Sequence, residues 1–286
     1  MTEWRDWAAW RRVTAVSLDT VSSAASVGAE AAEAIEQLAR SVSTYAPESY
    51  PEAIVDALDL LIDRQAVRAP VLALCNELYL TLGEGADRVV EVAGEFADRL
   101  ASSTAKIGSV GAHLIDEGVT VLVHGASSSV RSVLDAARER SSFQVCCTEA
   151  MPGGEGVEMA AELTVAGFDV EVVDDRSAVE LLPGVDMVLS GADAIGPDAA
   201  VSKAGIRRLA IAADLAGVAL YLTAGRDKVL PSGLFRITAQ LGGRQALSEI
   251  VPLEHFTVIV SDVGLLTAAE IAELAAERTV AEELKF

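Results

Sequence analysis

The segment Val188-Leu189-Ser190-Gly191-Ala192-Asp193-Ala194-Ile195 places a carboxylate just after an apolar run, on a Gly-Ala turn. Asp193 held at the end of a buried strand is a candidate general acid or base, because desolvation raises a carboxyl pKa toward neutrality. Its other reading is a turn or helix N-cap Asp. Ten residues on stands Lys203, and a later loop carries Arg226 and Lys228. Cations gathered on one edge read as an anion site, or else as partners of nearby carboxylates such as Asp198 and Asp227. The loop His124-Gly125-Ala126-Ser127-Ser128-Ser129 is small, rich in hydroxyls and opens into a helical stretch. Backbone N–H groups there, with Ser127, Ser128 and Ser129, can cradle a phosphate. A serine N-cap that needs no ligand explains the same residues equally well. His124 reads as a packed residue or, second, as a base. His113 and His255 have no companions at ligand spacing, so no metal is expected. No G-x-G-x-x-G, Walker or Gly-x-Ser-x-Gly pattern is present, and no cofactor is expected.

Two grammars position these residues. From residue 1 to about 115 the chain reads as helices, with Ala24, Ala31, Ile35, Leu38 and Val42 on one apolar stripe and Ile54, Leu58, Leu61 and Ile62 on another that follows Pro51. Further stripes run from Val71 past Leu78, and through Val89, Val92, Phe96 and Leu100. Trp4, Trp7 and Trp10 fall one per helical turn, which predicts a helix packed on the protein's own body or a second subunit rather than a membrane-surface anchor. From 116 to 286 short apolar runs alternate with helical stretches. Six strands are predicted, at 119–123, 143–147, 168–173, 185–189, 218–222 and 256–260, with helices at 128–140, 157–166, 177–182 and 201–216. Connections this short imply right-handed crossovers and a parallel sheet covered on both faces. The expected fold class is α/β: a helical N-terminal domain, then a Rossmann-like doubly wound, mostly parallel sheet. Its ligands belong beyond the carboxyl ends of the strands.

Composition bounds the partners. The 286 residues carry 43 Asp and Glu against 22 Lys and Arg, a net charge of −21. Only four of the cations are Lys. Such a surface repels nucleic acid, so no nucleic-acid partner is expected. Many carboxylates, few lysines and abundant Ala predict a protein of a salt-loaded cell, against the alternative of an ordinary acidic protein. No apolar run reaches membrane-spanning length and the first residues lack signal-peptide order, so no membrane partner is expected. Cys75, Cys146 and Cys147 show no zinc spacing and predict no disulfide, which places the chain in the reducing cytoplasm.

Gly191-Ala192-Asp193-Ala194-Ile195 followed by Val201-Ser202-Lys203-Ala204-Gly205 resembles the Gly-Ala-Asp…Asn-Lys-x-Gly-Thr signature of the initiation factor 2B-like superfamily. That superfamily comprises the α, β and δ subunits of initiation factor 2B, methylthioribose-1-phosphate isomerase and ribose-1,5-bisphosphate isomerase. Asp19-Thr20-Val21-Ser22-Ser23-Ala24 resembles its early Asp-x-x-Ser-Gly-Ala, and Arg68-Ala69-Pro70 with Asn76 its Arg-Pro…Asn helix. Val123-His124-Gly125-Ala126-Ser127 is similar to Thr-His-x-x-Ser, Thr148-Glu149-Ala150-Met151-Pro152 to Thr-Glu-Ser-Arg-Pro, and Val260-Ser261-Asp262-Val263-Gly264 to Val-Thr-Glu-x-Gly. The family's helical and Rossmann-like domains agree with the reading from periodicity.

The departures bear on function. The resemblance implies that isomerases carry a catalytic Cys immediately after the His, where this chain has Gly125. Met151 stands at the family's Arg, Ser202 at its Asn and Ile206 at its Thr, and the stretch between Asp193 and Lys203 is one residue short. The resemblance therefore implies an initiation-factor-2B-like, non-catalytic or regulatory binder of a phosphorylated small molecule. Arg68, Gly125, Ser127, Ser128, Lys203 and Lys228 are its expected contacts. The alternative is an aldose–ketose isomerase of the ribose-1,5-bisphosphate type, an intramolecular oxidoreductase with Asp193 as acid/base and His124 or a water in place of the thiol. The resemblance also implies a homodimer or larger homo-oligomer, and raises initiation factor 2 as a partner in translation initiation.

Overall fold

The computed structural model describes every residue except Met1, Thr2, Val21, 243–246 and Phe286. Val21, within the Asp19–Ala24 stretch, thus lies outside the described residues. The chain divides into two compact units, the first made of Met1–Ser102, Leu230–Thr238 and Arg278–Phe286, the second of Ser103–Val229 and Ala239–Glu277.

The first unit is helical. Its elements are α1 (Ala8–Ser17), α2 (Ala24–Tyr45), α3 (Tyr50–Gln65), α4 (Ala69–Thr81) and the greater part of α5 (Ala86–Gly111). The apolar stripes bury as their spacing requires: Ala31, Ile35, Leu38 and Val42 from α2, and Ile54, Leu58 and Leu61 from α3, are all fully buried. Of α4, Ala69 through Asn76 are all buried, which accounts for an apolar run without a polar face. The C-terminal tail is tied to α4 through Asn76, whose Nδ2 donates to the Thr279 carbonyl at 2.8 Å and whose Oδ1 accepts from the Ala281 N–H at 2.9 Å. The three tryptophans do not share one helix. Trp4 lies in a 3-10 turn (Trp4–Asp6), and α1 begins only at Ala8. Trp4 is buried edge-on against Trp10, centroids 4.9 Å apart, so the packed reading holds on different local geometry.

The second unit is a doubly wound sheet. Its strands are β1 (Thr120–His124), β2 (Gln144–Thr148), β3 (Val170–Val173), β4 (Met187–Ile195), β5 (Ala199–Lys203), β6 (Ala219–Thr223), β7 (Ser248–Pro252), β8 (Val258–Ser261) and β9 (Gly264–Leu266). The main path runs β3-β2-β1-β4-β6-β8-β9, parallel except for the final β8–β9 pair. Helices α6 (Ser128–Ala137), α7 (Glu155–Val165), α8 (Ser177–Leu181), α9 (Ile206–Ala216) and α11 (Ala268–Ala276) follow strands, while α10 (Ser232–Gly242) has its residues through Thr238 in the first unit. Strand period 2 splits the core in two. Val121, Val123, Val145 and Leu189 pack with residues of α6 and α7 on one face, while Leu122, Val188, Leu220 and Ile259 pack with residues of α9 and α11 on the other.

All six predicted strands are present, each beginning within two residues of its expected start. Three more were not predicted: β5, β7 and β9. The first two form an antiparallel ribbon, β4–β5–β7, in which the outer half of β4 leaves the main sheet. This corrects two expectations. The predicted helix at 201–216 begins only at Ile206, so Lys203 ends a strand. Asp193 stands inside β4, where the register shifts between Ala192 and Ala194, not on a turn after the strand.

Candidate functional site

The carboxyl ends of four parallel strands carry buried polar residues: His124 (β1), Thr148 (β2), Ser190 (β4) and Thr223 (β6). They satisfy one another. Ser190 Oγ donates to the His124 carbonyl at 3.2 Å and Thr223 Oγ1 to the Ser190 carbonyl at 3.3 Å. His124 Nε2 lies 2.9 Å from the Ala204 carbonyl, which only accepts, so Nε2 carries the proton. Nδ1, 2.8 Å from Thr148 Oγ1, then accepts from that hydroxyl. Burial holds the imidazole pKa below its ordinary value. Both ring nitrogens are engaged in a neutral ring, so His124 is a packed floor residue and has no free nitrogen to act as a base.

Loops converge above this floor. Gly125 has φ +82°, and a Cβ built there would lie 3.3 Å from Cβ and Cγ of Lys203. Ser127 caps α6, accepting from the Val130 N–H at 3.4 Å, and its Oγ would be 2.5 Å from a Cβ at Gly191. Ser202 Oγ donates to the Gly191 carbonyl at 2.6 Å. The structure thus gathers Gly125, Ser127, Gly191, Ser202 and Lys203 at the ends of β1, β4 and β5. Ser128 is exposed in the first turn of α6. Arg68 belongs to the helical unit, where its guanidinium donates to the Asp19 carbonyl at 2.8 Å and to Gln65 Oε1 at 2.9 Å.

The cations are engaged within the chain. Lys203, with only 13% of its side chain exposed, is ion-paired with Glu155. Lys228 Nζ donates to the Ala192 carbonyl at 2.6 Å. Burial holds its ammonium below the ordinary lysine pKa, with the Asp193 carboxylate working in the opposite direction. Arg226 pairs with Asp262, its backbone N–H 2.7 Å from Oδ1 and its Nε 3.6 Å from Oδ2. Neither Glu155 nor Asp262 was among the partners expected from the sequence, which pointed to Asp198 and Asp227. Asp193 itself is exposed rather than desolvated, with Ser248 Oγ 3.4 Å from Oδ2.

Three acidic residues matter to which sequence reasoning gave no role. Glu155 reaches Lys203 from the first position of α7, two residues before the helix was expected to start. The Gly153-Gly154 pair before it was the available signal. Asp175 accepts the Ala150 and Met151 N–H groups, both at 2.8 Å, and so holds the loop after β2. Glu249 on β7 accepts from the Gly205 and Arg207 N–H groups at 2.9 and 2.7 Å, capping α9. Nothing in the spacing of the sequence joins it to Gly205. Among the described residues no group of His, Cys, Asp and Glu is arranged to hold a metal ion, and no helix is long and apolar enough to cross a membrane.

Comparisons with known proteins agree with this architecture. A Pyrococcus horikoshii protein provisionally named translation initiation factor eIF-2B subunit 2-like is 27% identical over 243 residues, covering 80% of this chain and 87% of its own. The ribose 1,5-bisphosphate isomerase of Archaeoglobus fulgidus is 26% identical over 255 residues, covering 81% and 82%. The crystal structure of the translation initiation factor eIF-2B from Pyrococcus horikoshii OT3 superposes with a TM-score of 0.75 at 23% identity, covering 90% of this chain and 96% of that one, which shows the same fold. Residues 20–236 match the Initiation factor 2 subunit family. With that match spanning most of the chain and the strand-end polar floor in place, the protein belongs to the initiation factor 2 subunit family.

Proposed function

We propose that this protein is a regulatory, non-catalytic binder of a phosphorylated metabolite, with its site above the carboxyl ends of β1, β4 and β5. The observation that carries the reading is the pair of residues after β1. Interconverting an aldose and a ketose moves one proton between the two carbons and another between their oxygens, so a base and a partner acid or base must flank the substrate. His124 has both nitrogens engaged and Gly125 has no side chain, so Asp193 faces no second proton-transfer group from that loop. A binding role needs less: Lys203, Ser127 at the start of α6, and Lys228 at the Ala192 carbonyl supply charge and donors for an anion. Ser128 and Arg68 are proposed contacts on the resemblance alone. Self-association and a role with initiation factor 2 belong to the same proposal and rest on the family alone.

A second reading, an isomerase of ribose 1,5-bisphosphate, is favoured by the retained Asp193 and by the Archaeoglobus fulgidus relative that carries that name. Incubation with ribose 1,5-bisphosphate and with methylthioribose 1-phosphate, followed by NMR, separates the two. The regulatory reading expects both sugars to return unchanged while raising the melting midpoint with concentration. Turnover that disappears in Asp193→Asn would establish the isomerase instead.

A further inference from the structure

Lys203 is the cation best placed to meet a ligand's phosphate, and it is already occupied. Its side chain is 13% exposed, and its ammonium meets the Glu155 carboxylate with no other hydrogen-bond partner for either paired atom among the described residues. The two sides of this pair differ. Lys203 is fixed by the ladder of β5 to β4 and β7 and by its stem lying against Gly125. Glu155 is 33% exposed and stands at the first position of α7, directly after Gly153 and Gly154. Its carboxylate folds back over Gly153, where a Cβ would lie 2.4 Å from both oxygens, so glycine at 153 leaves room for the carboxylate in this position. Turning Glu155 outward needs only side-chain rotation. Lys203, with 13% of its side chain exposed and its stem packed at Gly125, has less room to turn away.

We infer that Glu155 is a built-in competitor for the anion site: its carboxylate occupies the place on Lys203 that a ligand phosphate takes, and binding exchanges one anion for the other. This rests on the binder reading above. Lys203 is too buried to stand unpaired, since an uncompensated interior charge costs more than the pair returns. The exchange keeps it paired throughout, and it releases Glu155 to solvent near the amino end of α7, where a carboxylate remains favourable. Glu155 therefore sets the affinity threshold of the site. Dianionic phosphate displaces it; a ligand bearing a single weaker anion does not.

Calorimetric titration of the full chain with inorganic phosphate and with ribose 5-phosphate, at constant ionic strength, tests this. Glu155→Gln removes the competing charge at the same size and is expected to bind both probes about tenfold tighter than the wild type. Adding Lys203→Met to that variant is expected to abolish the gain. If Glu155→Gln binds no tighter, while wild-type binding is still lost in Lys203→Met, the competitor role is wrong and the binder reading stands. If neither wild type nor Glu155→Gln binds any phosphorylated probe, the binder reading fails and the inference falls with it. Should Glu155→Gln not fold for want of a partner to Lys203, Glu155→Asp replaces it: it keeps the charge on a side chain one methylene shorter and is expected to bind both probes tighter than the wild type, by a smaller factor.

Discussion

At position 125 the backbone itself selects against a side chain. With φ at +82°, any residue but glycine is strained, and a Cβ there would press on the stem of Lys203 at 3.3 Å. Restoring the thiol that the resemblance implies for the isomerases does not restore a thiol site. Gly125→Cys is expected to lose about 1–2 kcal/mol of stability in urea unfolding and to gain no turnover of ribose 1,5-bisphosphate. Turnover in that variant would mean that the loop relaxes to accept a side chain and that activity was lost by this substitution alone. His124 illustrates the same scale from the other side. Its position after an apolar strand was legible, and both its roles were open, but the acceptor at Ala204 that settles its tautomer comes from a residue 80 positions away.

Elements decided where the site residues stand. The six parallel strands follow from apolar runs of the right length, because burial on both faces needs no polar alternation. The β4–β5–β7 ribbon could not be read the same way. Its pairing joins Ala199–Lys203 to Ser248–Pro252, and no local pattern encodes a contact across that distance. With Ala200 and Val201 buried, the stretch resembles the start of the helix that follows it. The ribbon moves Lys203 to a strand end and Asp193 to a bulge, so the site has a different geometry from the one predicted. Glu249 couples ribbon to helix by capping α9 through two charge-assisted bonds. Glu249→Ala is expected to cost about 1–2 kcal/mol in urea unfolding, and Glu249→Gln, which keeps an acceptor, distinctly less. Equal losses in the two variants would show that the strand position and not the cap is what matters.

Across the whole molecule the charge of −21 outweighs what any single contact can neutralise. Most ion pairs of the described residues are exposed, such as Arg12–Glu33, Arg40–Glu36 and Lys285–Glu282. Pairs of that kind contribute little, and with 43 carboxylates against 22 cations nearly half of the acids have no cation available at all. Self-repulsion therefore limits stability at low salt. The melting midpoint is expected to rise by roughly 5 °C or more between about 0.1 M and 2 M KCl, the range over which the screening length falls below the spacing of surface charges. A midpoint that stays flat would remove the case for salt adaptation and leave an ordinary acidic protein.

The sequence alone determined the helical-then-α/β order, the six parallel strands, the acidic surface and the family, because each is carried by local pattern: apolar periodicity, composition and short motifs. It also singled out Gly125, Ser127, Lys203 and Lys228. Which partners those residues take was a tertiary decision. Glu155 reaches Lys203 across 48 positions, and Ala192 meets Lys228 across 36, through a chain that folds back on itself. Electrostatic and hydrogen-bond energies fall off over a few ångströms of space, whatever the separation along the chain. Hence the charges could be counted from the sequence, while the pairing of Lys203 with Glu155 could be seen only once the strands had been laid side by side.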